Sequence, residues 1–66
     1  MLIKEHDIVE LVREVDGIPE GNIGTVVYIH GDNEAYEVEF VACWSRGSIV
    51  KTVDSRDVRP MTGEPA

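Results

Sequence analysis

The chain has 66 residues, 42% of them hydrophobic and 29% charged, and its 13 acidic against 6 basic residues give a formal net charge of −7. A chain this short forms one domain and buries only about 60% of the surface its unfolded form exposes, which excludes a deep cleft with a full catalytic apparatus but leaves room for a shallow groove. The composition is that of a folded domain rather than a disordered one. The negative field repels phosphate backbones and anionic membrane surfaces while suiting a basic protein partner. Cys43 is the single cysteine, so an internal disulfide and a four-thiolate zinc site are both excluded. The N-terminal stretch MLIKEHDIVE carries Lys4, Glu5 and Asp7 and lacks the apolar centre of a signal peptide. No apolar run approaches the roughly 20 residues that span a bilayer, and a cytoplasmic protein is expected.

In chain order, the β-branched stretch DIVELV, residues 7–12, predicts a first strand with Val9 and Leu11 facing in and Glu10 facing out. REVDGIPEGN, residues 13–22, combines two glycines and a proline with charges and reads as a long loop. Residues 23–30 form the second expected strand, with Thr25, Val27 and Ile29 assigned to the core and Val26, Tyr28 and His30 to the outside. Gly24, near its start, marks a bulge or a close backbone approach. After a turn at Gly31–Glu34, residues 35–41 alternate cleanly: Tyr36, Val38 and Phe40 on one parity, Glu37 and Glu39 on the other. A further turn signal at Ser45-Arg46-Gly47 precedes a fourth strand over residues 49–53. Asp54 or Ser55 is placed to cap a single helical turn, with Asp57 closing the local charge pattern. Val58 then enters the core at the start of a fifth strand, which Pro60 ends because it lacks a ladder donor. Residues 1–60 thus read as one domain and 61–66 as a flexible tail. Five short strands, a long first loop, a central hairpin and a helical turn before the last strand describe an all-β, five-stranded SH3-like barrel. The edges of so small a sheet leave unpaired backbone groups, which makes a homodimer one expectation.

No catalytic constellation is present in the sequence. Glu37 and Glu39 point the same way roughly 7 Å apart, but they lie opposite the apolar parity, and a catalytic acid needs burial to raise its pKa. His6 and His30 lack metal-ligand spacing, and Asp32-Asn33-Glu34 falls short of a calcium loop. Cys43 has only Arg46 nearby to depress its pKa, the serines lack a nucleophile elbow, and Gly21 and Gly24 are followed by no phosphate-loop lysine. No metal or cofactor is expected. Trp44, beside a turn, either completes a thin core or anchors an interface. Tyr28, with Val26 on the same assigned parity, adds an apolar stripe beside the acidic one. Tyr28, Trp44, Glu37 and Glu39 are therefore the candidate partner-binding residues.

The segments Gly24-Thr25-Val26-Val27, Ala35-Tyr36-Glu37-Val38-Glu39-Phe40 and Asp57-Val58-Arg59-Pro60 together resemble a family of short, mostly bacterial proteins catalogued as domain of unknown function 4926. The resemblance runs from Asp7 to Pro60 and implies an SH3-like fold with no assigned catalytic residue. It also implies a cognate protein partner encoded by a neighbouring gene, of the toxin–antitoxin type. VACWSRGSIV, after Phe40, departs from the acidic, glycine-containing turn that the resemblance leads one to expect. Gly21 to Val26 is similar, too, to a small-barrel motif of ribosome and transcription-factor domains, which are typically basic where this chain is acidic. The expected function is a non-enzymatic protein-interaction module of accessory or antitoxin type. The alternatives are a nucleic-acid-binding barrel and a ligand-binding or enzyme-accessory domain.

Overall fold

In a computed structural model, residues 3–41 and 47–61 are described. Five strands, β1 (Ile8–Leu11), β2 (Ile23–His30), β3 (Ala35–Val41), β4 (Ser48–Asp54) and β5 (Val58–Pro60), form one antiparallel sheet in the order β4-β3-β2-β1-β5. A 3-10 turn at Ser55–Asp57 leads into β5. The expected all-β architecture and the turn before the last strand are both present.

Alternation dictates what β1 and β3 bury. Val9 and Leu11 in β1, and Tyr36, Val38 and Phe40 in β3, all face the core, with Val9, Val38 and Phe40 fully enclosed. Val53 of β4 and Val58 of β5 join them, because the register sets Tyr36 opposite Val53 and Leu11 opposite Val58. Each such side chain contributes roughly 1.5–3 kcal/mol relative to exposure. With ten buried hydrophobic side chains among the described residues, the core is sensitive to any one of them.

The second strand departs from simple alternation. Val26 is fully buried, whereas Val27 is 37% exposed, the reverse of the sequence assignment. The cause is a register shift between Val26 and Tyr28: Val26 pairs with Val38, and Tyr28 pairs with Glu37, the very next residue of β3. Val27 is the extra residue of a β-bulge, and an inserted residue reverses the parity of everything beyond it. Gly24 and Val26 therefore face in before the bulge and Ile29, opposite Tyr36, faces in after it. Thr25, also assigned to the core by unbroken alternation, instead pairs with the outward Glu39.

Gly24 is the close backbone approach that its position suggested. A Cβ built there lies 2.6 Å from Val38 Cγ1, 2.7 Å from the Glu39 carbonyl oxygen and 2.9 Å from Phe40 Cδ1. The Phe40 ring thus occupies the space that any side chain at position 24 needs, and the backbone oxygen cannot swing aside as a flexible side chain would.

The long first loop is folded rather than free. Asp16 and Gly17 both adopt positive φ, the conformation of a two-residue hairpin turn that the Asp-Gly pair favours. Val15 and Ile18 exchange backbone hydrogen bonds across it at 3.0 and 2.8 Å. The turn drives Ile18 into the core, where it is 2% exposed. At the other end, Asp54 proves to be the cap. Its carboxylate accepts from the Arg56 amide, and its own amide donates to the Asp57 carboxylate at 3.1 Å. The Arg56 side chain and amide hold the Asp54 carboxyl below the usual carboxylate range.

Two edges remain, β4 and β5. Lys51, opposite the inward Val38, occupies a core-side position of the β4 edge and reaches Asp16 of the first loop at 3.9 Å. An inward-pointing charge on an edge strand opposes pairing with another strand. The β5 edge is only three residues long and ends at Pro60. Met61, at the start of the expected tail, still donates its amide to Ile8 at 2.9 Å, and residues 62–66 lie outside the described range.

Replacement of Gly24 by alanine is expected to destabilise the domain by about 1–3 kcal/mol through overpacking, and Phe40→Ala by about 3–5 kcal/mol through the cavity it leaves. Urea unfolding measures both. A Gly24→Ala midpoint equal to that of the parent would contradict the close approach.

Candidate interaction face

In a strand pair, residues directly opposite one another project on the same side, so the register defines the outer face row by row. One row runs Ile8, Thr25, Glu39, Val50 across β1, β2, β3 and β4, and Met61, whose amide binds Ile8, extends it. A second runs Tyr28, Glu37, Thr52. Ile23 faces out opposite Glu10, which lies opposite Arg59, and Val41 faces out opposite Ser48. The exposed large apolar residues among those described are Ile8, Ile23, Val27, Tyr28, Val41, Val50 and Met61. All seven belong to this face or to the bulge that interrupts it. The inner side of this one sheet is the core, so exposed strand residues fall on its outer side, where the rows interleave the apolar Ile8, Tyr28 and Val50 with Glu37 and Glu39.

Three of the four sequence candidates meet here. Tyr28 is 54% exposed and stands directly opposite Glu37, with Glu39 one outward position along β3. Val26, expected beside Tyr28, is in the core, and Val27 and Val50 supply the apolar surface in its place. Trp44 lies outside the described residues, as do Cys43 and Arg46.

The carboxylates on this face are held by their neighbours. Glu37 Oε2 accepts from His30 Nε2 at 2.9 Å and from the Thr52 hydroxyl at 3.2 Å. A carboxylate cannot donate, so the His30 proton sits on Nε2 in this contact. Glu39 Oε2 accepts from the Ser48 hydroxyl at 2.7 Å, and Glu10 Oε1 pairs with Arg59 at 2.7 Å. The hydrogen bond from His30 foremost holds the Glu37 carboxyl below the ordinary glutamate value; desolvation opposes it, and the Thr52 hydrogen bond adds to it. The His30 ring also packs edge-on to Tyr28, with centroids 4.9 Å apart. One histidine thus positions both the aromatic ring and the acid, a role that sequence position alone did not assign to it. By contrast, Tyr36 is in the core, where burial raises its hydroxyl pKa.

Among the described residues no group of three or more histidine, cysteine or carboxylate side chains is placed to hold a metal ion. No helix is long and apolar enough to cross a membrane.

The family described as Domain of unknown function (DUF4926) matches residues 5–57, which takes in β1 to β4 and the 3-10 turn. The chain belongs to the DUF4926 family. No curated protein and no solved structure matches it. The DUF4926 match covers the bulged β2, the acidic β3 and the capped turn, so most of the outer face lies inside the family region, with Arg59 and Met61 beyond it.

Because its folded-state pKa is lowered, Glu37 stabilises the fold above the ordinary glutamate range, and that contribution is lost as pH falls through the lowered value. Carbon-detected titration is expected to place the Glu37 carboxyl below the ordinary glutamate value in the parent protein and to raise it in His30→Ala. An unchanged Glu37 midpoint in His30→Ala would contradict the His30 contact.

Proposed function

We propose that this DUF4926 protein is a non-enzymatic interaction module whose outer sheet face binds a cognate protein carrying a basic, partly apolar surface. The observation that carries the reading is the interleaving of exposed large apolar residues, Tyr28, Ile8 and Val50, with Glu37 and Glu39 on the outer face. Aromatic and aliphatic anchors supply affinity at such surfaces. Exposed charges mainly set encounter rate and partner choice, and a net charge of −7 acts in the same sense. The strand order, the long first loop and the 3-10 turn support an SH3-like architecture for the module. A cytoplasmic setting and a partner encoded by a neighbouring gene, as in a toxin–antitoxin pair, fit the same reading. Self-association through strand edges has less support, given the inward Lys51 on β4 and Pro60 on β5. The nucleic-acid alternative meets the opposing net charge.

The test is kinetic. With the partner purified from the native host, Tyr28→Ala and Val50→Ala are each expected to raise the dissociation rate by about tenfold or more while leaving the fold intact. The double reversal Glu37→Lys, Glu39→Lys is expected to slow association and flatten its dependence on salt. Folded Tyr28→Ala and Val50→Ala variants that release the partner at the parental rate would overturn the proposal. Clear binding of RNA or DNA at low salt in a gel shift would favour the nucleic-acid reading instead.

A further inference from the structure

Pairing between β1 and β2 stops at Thr25, opposite Ile8. Beyond it the chain ahead of β1 turns away. The His6 amide donates to the Val26 carbonyl at 2.7 Å, His6 adopts a positive φ of 76°, and the Lys4 amide donates to Asp7 Oδ2 at 2.9 Å. Asn33, in the β2–β3 turn, ties the start of this segment down through Nδ2, which donates to the Ile3 carbonyl at 3.3 Å. Between the segment and the far half of β2 lies an open groove of about 460 Å³, lined by Ile3, Lys4, Glu5, Tyr28, Ile29, Asp32 and Asn33.

The chemistry of this lining is mixed in a particular way. Ile3, Ile29 and the Tyr28 ring are apolar, Glu5 and Asp32 are exposed acids, and Lys4 is the single cation among the described lining residues. Asn33 closes one end of the groove, its side chain tied to the Ile3 carbonyl. Among the described residues neither Glu5 nor Asp32 takes part in an ion pair. An apolar floor with acceptors around it suits a side chain that has a long aliphatic stem and a cationic, many-donor head. Arginine fits better than lysine: its planar fork matches carboxylates and stacks on an aromatic face.

We infer that this groove is the arginine-binding pocket of the outer face, occupied by an arginine side chain from a basic, extended segment of the partner protein. The inference rests on the proposed function, since Tyr28 belongs both to the groove and to the outer face. It goes further in naming the residue that the partner must supply. Charge complementarity selects that residue, because the described lining carries two acids against one base and the whole chain is strongly acidic.

The test uses the intact protein and a blocked Gly-Arg-Gly tripeptide, with lysine, citrulline and leucine in the central position as controls, followed by amide chemical shifts. The arginine peptide is expected to shift Ile3, Lys4, Glu5, Ile29, Asp32 and Asn33 together. The citrulline peptide, the same shape without the charge, is expected to bind about tenfold more weakly. Asp32→Asn combined with Glu5→Gln, both at exposed sites, weakens the arginine peptide by a similar factor, whereas Lys4→Gln strengthens it by removing the like charge. A leucine peptide that binds the groove as tightly as arginine overturns the inference in favour of a plain apolar pocket. Arginine-induced shifts scattered over Glu14, Glu20 and the rest of the acidic surface, or no shifts at all, also overturn it. Val50 lies outside the groove, so a faster partner release in Val50→Ala without arginine selectivity removes the groove alone. Arginine selectivity with parental release in Val50→Ala leaves the groove and removes the wider face.

Discussion

The β-bulge in β2 is the constraint on which the rest of the structure depends. One inserted residue, Val27, lets the same strand bury Gly24 and Val26 on one side of the break and present Tyr28 opposite Glu37 on the other. Without the insertion, the parity that buries Val26 would also turn Tyr28 inward and leave Ile29 outside. The bulge resolves that conflict, and by increasing local twist it helps a small sheet wrap around a thin core. Gly24 makes the inward half feasible, because only a residue without Cβ permits the Phe40 ring and the Glu39 carbonyl to come so close.

Much of the architecture is written in the chain, and its failures have physical causes. In β3 strict alternation between apolar residues and glutamate fixes Tyr36, Val38 and Phe40 inward, because the strand pairs regularly on both sides. In β2 four consecutive residues, Val26 to Ile29, are all β-prone and apolar or aromatic, so alternation gives no contrast by which to locate an inserted residue. Gly24 signalled a close approach but not which neighbour made it. The two core residues hardest to foresee, Ile3 and Ile18, arrive from outside the strands. The Asp16-Gly17 pair contained the signal for Ile18, since a tight turn there returns the next apolar residue toward the sheet. For Ile3 the decisive contact is the distant side chain of Asn33, which no local pattern shows.

The candidate site was legible in part for the same reason. Glu37 and Glu39 were placed on the outer face by alternation alone, and Tyr28 joins them because the bulge restores the outward direction that the simple parity had also assigned. Its expected neighbour Val26 does not, and the apolar surface is built instead from strands distant in sequence: Ile8 and Val50 share a row with Thr25 and Glu39. His30, a plain hairpin-end residue by sequence, gains its role only when folding brings it to Glu37 and Tyr28. Acids oriented by such contacts have already lost conformational freedom, so under the proposed function less is left to order when the partner docks. On that proposal, the apolar residues interleaved with Glu37 and Glu39, Tyr28 foremost, anchor the partner and the glutamates steer it.

The most direct measurement of this arrangement is the set of nuclear Overhauser contacts from the methyl groups of Val26 and Val27 in the unmodified protein. The bulge predicts contacts from the Val26 methyls to Val38 and to the Phe40 ring, and none from the Val27 methyls to the core. Core contacts from Val27, with Val26 exposed to solvent, would contradict the account.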